Sequence, residues 1–592
     1  MKLATPLLVL VLAVPAFAAS PQDFLPPAPP WHGASEALIA QPDNPWVTPA
    51  EKMRLLDTPN YDETIAYLKK LCAATPLVTM QEFGRTAQGR PLYAVLAHTG
   101  VAGKPVVLAQ AGIHSGEIDG KDAGLMLLRD IAFGGKAALL DRVDFLFVPV
   151  FNADGHERSS EWNRPNQRGP VHQGWRTTAQ NLNLNRDYVK ADAPEMQAML
   201  GLIAQWSPSL YLDLHVTDGI DYQYDITFGY DGWDGGFAWS PQIAGWLEKS
   251  LRPGVEAALK SAGHIPGGLI NAAVDDRDLP KGLLNYNGDP RYSNIYGDLR
   301  HIPSILIENH ALKPYPQRVL GTYVFLEAAL QAVGAHAAEL ARAIAADRAA
   351  RPAQVSANWS NGGGETTKAD FAGIAYETYV SPASGIKEVR WLGTPKVYKD
   401  LPLLGDKPGV ILTRPKAYWV PVTKHEVIAR LKLHGIKMET LDAPHELRLT
   451  MYRLVGPKAA TEPFESHYNL TTGVKAEPHT EVFPAGSVRV STDQPLGDLA
   501  MLMLEPQSVD SLFAWGFFNE ILQRTEYIEG YVVAPFAEKM LADDPKLKAE
   551  FEAKLAADPK FAADPTARLQ WFYERSRFYD DRYLLYPVGI ER

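Results

Sequence analysis

The sequence predicts an α/β domain over residues 61–350, built on a mixed, largely parallel sheet flanked by helices, then a β-rich region with terminal helices over 371–592. Three observations carry this reading. Short apolar runs alternate with amphipathic stretches up to about residue 345, the pattern of strands covered by crossover helices. A Gly/Ser/Asn-rich stretch, "PAQVSANWSNGGGETTKAD", then reads as a linker over 351–370. Beyond it, runs such as "RLTMYRLVG" and "SVRVSTD" alternate in polarity between Pro and Gly punctuation, as antiparallel strands do.

The elements follow in chain order. Lys2, the apolar run Leu7–Val14 and the small-residue site Ala16-Phe17-Ala18 make residues 1–18 a secretory signal peptide, too short to span a bilayer. The protein is therefore expected to be exported, to the periplasm or the extracellular space. No later run reaches about 18 apolar residues, so no membrane insertion is expected. Residues 19–60 are rich in Pro and Trp and read as an irregular N-terminal arm. "AYLKKLCAATP" has helical spacing and places Cys72 as a packed thiol. "KPVVLAQAG", "DRVDFLFVPVFN", "SLYLDLH" and "IPSILIENH" are strand-like. "DGKDAGLMLLRDIAF", "APEMQAMLGLIAQW" and the long run that begins "PQRVLGTYVFLEAAL" have helical periodicity. In the last 90 or so residues, Asp544-Pro545, Asp558-Pro559 and Asp564-Pro565 each resemble an N-cap followed by Pro at the first helical position.

Composition narrows the function. With 592 residues, two or more domains are expected. A net charge of −11 and no Lys/Arg run leave no phosphate footprint, so no nucleic-acid partner is expected. Cys72 is the only cysteine, which excludes an intramolecular disulfide and a cysteine-based zinc cage.

The chemistry begins in "AGIHSGEIDGKDAGL", where His114 and Glu117 stand three apart between a predicted strand and a predicted helix. Open α/β sheets place their sites there, beyond the carboxyl ends of the strands. Spacing alone is weak, since His336/Glu339 repeats it inside an Ala-rich helix, where it makes an ordinary surface pair. Two further strands end on chemistry-bearing residues: "SLYLDLH" on His215 and "IPSILIENH" on Glu308. His215 alone could be a hydrogen-bonded edge residue. A carboxylate that ends an apolar strand is costly to desolvate unless it meets a cation, a metal or a proton-transfer task. Two imidazoles, one carboxylate and a second carboxylate in reserve are the parts of a metal-assisted hydrolase.

In this order the residues resemble the zinc metallocarboxypeptidase family, of the carboxypeptidase A type. The ordered set is His114/Glu117, Asn185-Arg186, His215 and Glu308, with "FNADGHE" between the first two parts and "GWRTTAQNLNLNRDY" similar to the family's stretch that has Trp-Arg upstream of Asn-Arg. The resemblance spans roughly 60–340. It implies one zinc ion per chain, held by His114, Glu117 and His215, with Glu308 as general base and then general acid. It further implies Arg176 on the scissile carbonyl, Asn185 and Arg186 on a free C-terminal carboxylate, and a mobile tyrosine. Tyr286, 22 positions before Glu308, is the best placed, with Tyr292 and Tyr296 as competitors. The implied substrate is a peptide with a free C-terminus; oligomeric state is not implied.

The chain also departs from the family. Asn183 stands where an Asp commonly orients a zinc-bound His, and Asp213 shares a strand face with His215 as another support. The insertion "RSSEWNRPNQRGPVHQ" makes Arg164 and Arg168 rivals of Arg176. Ser293 is a candidate for the pocket that takes the terminal side chain. Arg186 alone could serve a structural salt bridge. Two other functions stay open: a zinc amidase or endopeptidase acting on peptidoglycan stem peptides, and a zinc-free binding protein on a degenerate peptidase fold. The histidines beyond 420 show no ligand-like spacing.

Overall fold

The computed structural model describes residues 21–270, 272–285, 288–360 and 363–592. The expected signal peptide and Tyr286 lie outside the described residues. Among the described residues no helix is long and apolar enough to cross a membrane. The chain forms two compact units. The first runs to Arg351 and takes in Asn358–Ile411, and the second joins Pro352–Ala357 to Leu412–Arg592.

An eight-stranded sheet organises the first unit. Its strands are β1 (Val78–Arg85), β2 (Pro91–Ala97), β3 (Val106–Ala111), β4 (Asp144–Val148), β5 (Leu210–Val216), β6 (Ile226–Gly229), β7 (Pro266–Gly268) and β8 (Ser304–Asn309). They lie in the order β1-β2-β4-β3-β5-β8-β6-β7. The central strands β4, β3, β5 and β8 pair in parallel, β1 and β2 run against their neighbours, and β6 runs against β8 but parallel to β7. β3 and β5 are buried along their whole length, which explains their unbroken apolar runs: both faces are covered by helices.

Helix α1 (Tyr61–Ala74) starts on a capping box between Asn60 and Glu63 and carries half-buried Cys72, whose thiol is pushed up by burial. Helix α2 (Asp119–Phe133) packs on the sheet through its glycines. A Cβ on Gly120 would stand 2.7 Å from Leu214 Cβ and 3.2 Å from Ala111 Cβ. Because Leu214 Cβ is fixed to the backbone of β5, Gly120→Ala is expected to cost about 1–3 kcal/mol by overpacking, read as a lower urea midpoint at unchanged slope. Helices α3 (Pro194–Trp206), α4 (Ser293–Leu299) and α5 (Tyr315–Ala349) complete the layers. His336 and Glu339 form the expected exposed pair on α5, 3.2 Å apart.

The domain boundary differs from the expected linker at 351–370. Strands Thr366–Val380 and Lys387–Gly405 form a long hairpin whose second strand pairs in parallel with Leu283–Asn285. Phe371, Ile374 and Trp391 join Tyr222, Leu279 and Leu283 in one apolar cluster. Residues 358–411 are therefore part of the first unit, because their apolar face is completed by side chains from 220–283. The Gly-rich composition signalled a change of element and not of domain.

The second unit is built on a six-stranded antiparallel sheet, in which the last strand, Leu585–Glu591, lies between Ala417–Val420 and His445–Ala459. Its helices begin as the Asp-Pro steps suggest: the side chains of Asp544, Asp558 and Asp564 accept backbone N–H groups of the turns that follow.

Candidate active site

Three strand ends build the site. After β3, Gly112 takes a positive φ of 69° and turns the chain outward, and the Glu117 N–H closes on the His114 carbonyl at 2.9 Å before α2 starts. β5 delivers His215, and β8 places Glu308 directly beside it, since the two are register partners in the parallel pair. The ligand atoms of His114, Glu117 and His215 all lie within 4.8 Å of one another, and all three residues are buried.

The orientation of the imidazoles is specific. His114 Nε2–H donates to Asn183 Oδ1 at 2.9 Å, and His215 Nε2–H donates to Asp213 Oδ2 at 2.8 Å. Both Nδ1 atoms then face Glu117, at 3.0 Å from Oε1 and from Oε2 respectively. Asn183 Oδ1 also accepts the Asn185 N–H at 2.9 Å, which fixes the side of the carboxamide that meets His114. Asp213 is held in turn by Gln110 Nε2 at 2.9 Å. The two supports raised by the sequence thus serve one imidazole each, as back-hydrogen-bonds that fix tautomer and ring plane.

Charge follows the geometry. Burial pushes His114 down to about 4, so its Nδ1 lone pair is available at neutral pH. Burial would raise Glu117, but the imidazoles of His114 and His215 and the Arg164 guanidinium beside it hold it well below the usual carboxylate range. Burial also works against His215⁺, yet Asp213 and Glu117 raise it well above the usual imidazole value. The protein alone therefore keeps a proton between Glu117 and His215. Two Nδ1 donors and an ionised carboxylate converging on one point, each with its far side fixed, fit a tetrahedral zinc site with one position left for water.

A cavity of about 540 Å³ opens over this point, and Glu308, Arg176, Asn185, Arg186 and Tyr292 line it. Burial raises Glu308 to about 8, against the opposing pull of His215, and its Oε2 has no hydrogen-bond partner. The three rival arginines separate. Arg176 lines the cavity, with its side chain 40% exposed and its guanidinium 3.4 Å from Glu117. Arg164 is drawn under the site, 2.9 Å from Glu117. Arg168 donates to the backbone carbonyls of Leu312 and Pro26. Arg186 stacks over the Tyr292 ring at 4.4 Å and donates to the Asn185 carbonyl at 2.7 Å. Asn185 Oδ1 accepts the Ser293 N–H at 2.9 Å and ties this pair to the start of α4. Tyr296 is buried and takes a hydrogen bond from Arg300 at 2.8 Å, so Tyr292 is the competitor that meets the cavity. Ser293 is fully buried, and its neighbours Asn294 and Ile295 reach the cavity instead. The sequence named Arg164 only as a rival for the carbonyl; its contact with Glu117 had no signal, because it depends on how the 158–173 insertion folds back.

Comparison with known proteins follows the same lines. Residues 64–232 match the family described as zinc carboxypeptidase. Carboxypeptidase 2 of Trichophyton rubrum is 24% identical over 498 residues, covering 77% of this chain and 84% of that protein. Carboxypeptidase A1 of Homo sapiens is 32% identical over 125 residues, 19% of this chain and 30% of that one. Among solved structures, a metallo-carboxypeptidase from Burkholderia cenocepacia aligns with a TM-score of 0.36 and 21% identity, over 46% of this chain and 69% of that one. The family match over residues 64–232, the curated relatives and the ordered residues of 114–308 agree: residues 64–232 carry the match to the zinc carboxypeptidases, and together they indicate a zinc metallopeptidase hydrolase.

Proposed function

We propose that this protein removes the C-terminal residue of peptides with a free carboxylate, using one zinc ion per chain held by His114, Glu117 and His215. When bound, zinc supplies Lewis acidity: it lowers the pKa of a coordinated water and polarises a carbonyl oxygen. The protein's own residues do the rest. Glu308, half-buried beside His215 in the register of β5 and β8, takes the proton of the attacking water and passes it to the leaving nitrogen. Arg176 faces the scissile carbonyl and is worth most as negative charge develops on that oxygen. Arg186 and Asn185 clamp the terminal carboxylate, with the planar guanidinium offering a bidentate fork. Tyr292, or Tyr286 beyond the described residues, covers the bound residue.

The observation that carries this reading is Arg186. A second guanidinium in the same cavity as the metal triad and Glu308 has no use for an endopeptidase, whose substrate presents no carboxylate there. Arg186→Ala is expected to lower kcat/KM on free-carboxylate peptides by about 10²-fold or more, the worth of a desolvated charge-assisted pair, while zinc content stays unchanged. Wild-type protein is expected to leave C-terminally amidated peptides uncut. Equal cleavage of the acid and the amide, or an unimpaired variant, rejects the exopeptidase reading. An export signal at residues 1–18 supports action outside the cytoplasm.

A further inference from the structure

Two guanidiniums stand at Glu117, and they are held differently. Arg176 is 40% exposed, lies 3.4 Å from Glu117 Oε1 and lines the cavity over the triad. Arg164 is 12% exposed and lies closer, at 2.9 Å from the same oxygen. It comes from the 158–173 insertion and reaches Glu117 past Gly116. A Cβ at position 116 would stand 2.5 Å from Arg164 Cγ and 2.8 Å from Arg164 Cδ. Only glycine there leaves the arginine stem its route.

The insertion is fastened to the ligand loop itself. Gln167 Nε2 donates to the Gly116 carbonyl at 2.9 Å, and the Arg164 N–H donates to Gln173 Oε1 at 3.0 Å. Both glutamines are buried. Arg164 Nε also donates to Gln167 Oε1 at 3.4 Å. Packing and these two side chains keep the guanidinium at Glu117, where a surface arginine would swing out to water.

The consequence is electrostatic. Glu117 is the anion of the triad, and Arg164 already occupies part of its charge. A dication that binds there must share the carboxylate with a fixed cation, and like charges repel strongly in a low-dielectric interior. The same ion pair stabilises the metal-free site, which opposes metal binding a second time. An arginine that only oriented Glu117 would act in the other direction: its loss would loosen the metal.

We propose that Arg164 is a positioning residue that acts through Glu117 as a counter-cation: it lowers the affinity of the triad for zinc and leaves more of the ion's charge for the substrate carbonyl. The inference rests on the reading of His114, Glu117 and His215 as zinc ligands, and adds the residue that sets how tightly the ion is held.

The test measures the zinc dissociation constant of the full-length protein by competition with a chromogenic chelator. Arg164→Met keeps most of the stem and removes the charge; it is expected to bind zinc about tenfold or more tightly than wild type, within the range of effects that residues behind metal ligands exert. Arg164→Lys keeps the charge and is expected to stay within about threefold of wild type. Once loaded, Arg164→Met is expected to lose kcat severalfold at unchanged KM, because the ion polarises the carbonyl less. Unchanged or weaker zinc binding in Arg164→Met overturns the proposal, as does a lysine variant that matches it or an undiminished kcat. Should Arg164→Met not fold, Arg164→Gln, neutral and still a donor, is read in the same way. A wild-type protein that takes up no zinc rejects the metal site and this role with it, whereas a site that fills with an affinity indifferent to Arg164 rejects the role alone.

Discussion

Glu117→Ala is expected to give a protein that binds no zinc and hydrolyses no peptide. Glu117 is the only anionic member of the triad. It also sits at the meeting point of the surrounding groups: both Nδ1 atoms face it at 3.0 Å, the Val216 N–H donates to it at 3.2 Å and Arg164 stands at 2.9 Å. Its removal leaves two buried imidazoles whose ring centroids are 5.1 Å apart and takes from the Arg164 guanidinium the carboxylate that stood 2.9 Å away. Breaking a buried pair from one side costs about 3–5 kcal/mol, so the metal-free variant should also unfold at lower urea than metal-free wild type. Glu117→Gln separates the two effects. It keeps the volume and one acceptor oxygen, and so recovers part of the stability, but it lacks the charge that holds a dication. Zinc per chain after dialysis, measured by elemental analysis, is the readout. Full occupancy in Glu117→Ala would place the metal elsewhere.

The parts of this site that were legible in the sequence share one cause. β3 and β5 are buried on both faces and β8 is largely so, so each carries a continuous apolar run, and a His or Glu that ends such a run stands out against it. The supports were half legible. Asp213 precedes His215 by two residues, and strand alternation already puts the two on one face. Asn183 lies 69 residues from His114 and was singled out only through resemblance. The domain boundary was not legible. The hairpin 366–405 owes its place to pairing with Leu283–Asn285, more than a hundred residues earlier, and local composition says nothing of that partner. The final strand was missed because Pro587 and Gly589 interrupt its alternation, although its neighbours on both sides complete the ladder.

Glu308→Gln tests the proton chemistry apart from the metal. Gln is nearly isosteric, and Glu308 is not one of the clustered donors, so zinc content and substrate KM should stay within a fewfold of wild type. The loss belongs in kcat, because a general base acts on a proton that moves only in the transition state, and an effect of about 10³–10⁴-fold is expected. The pH profile gives the sharper signature. Without metal, burial holds Glu308 at about 8; a dication nearby stabilises the carboxylate and draws this value downward. Below it the base is protonated, so wild-type kcat/KM should rise with pH along an acid limb and level off above. Gln cannot titrate, and whatever residual rate the variant retains should lose that limb. If the limb persisted unchanged in Glu308→Gln, another group would be the base. Glu308 would then be a structural carboxylate, held above the usual range by its burial and by the acids around it.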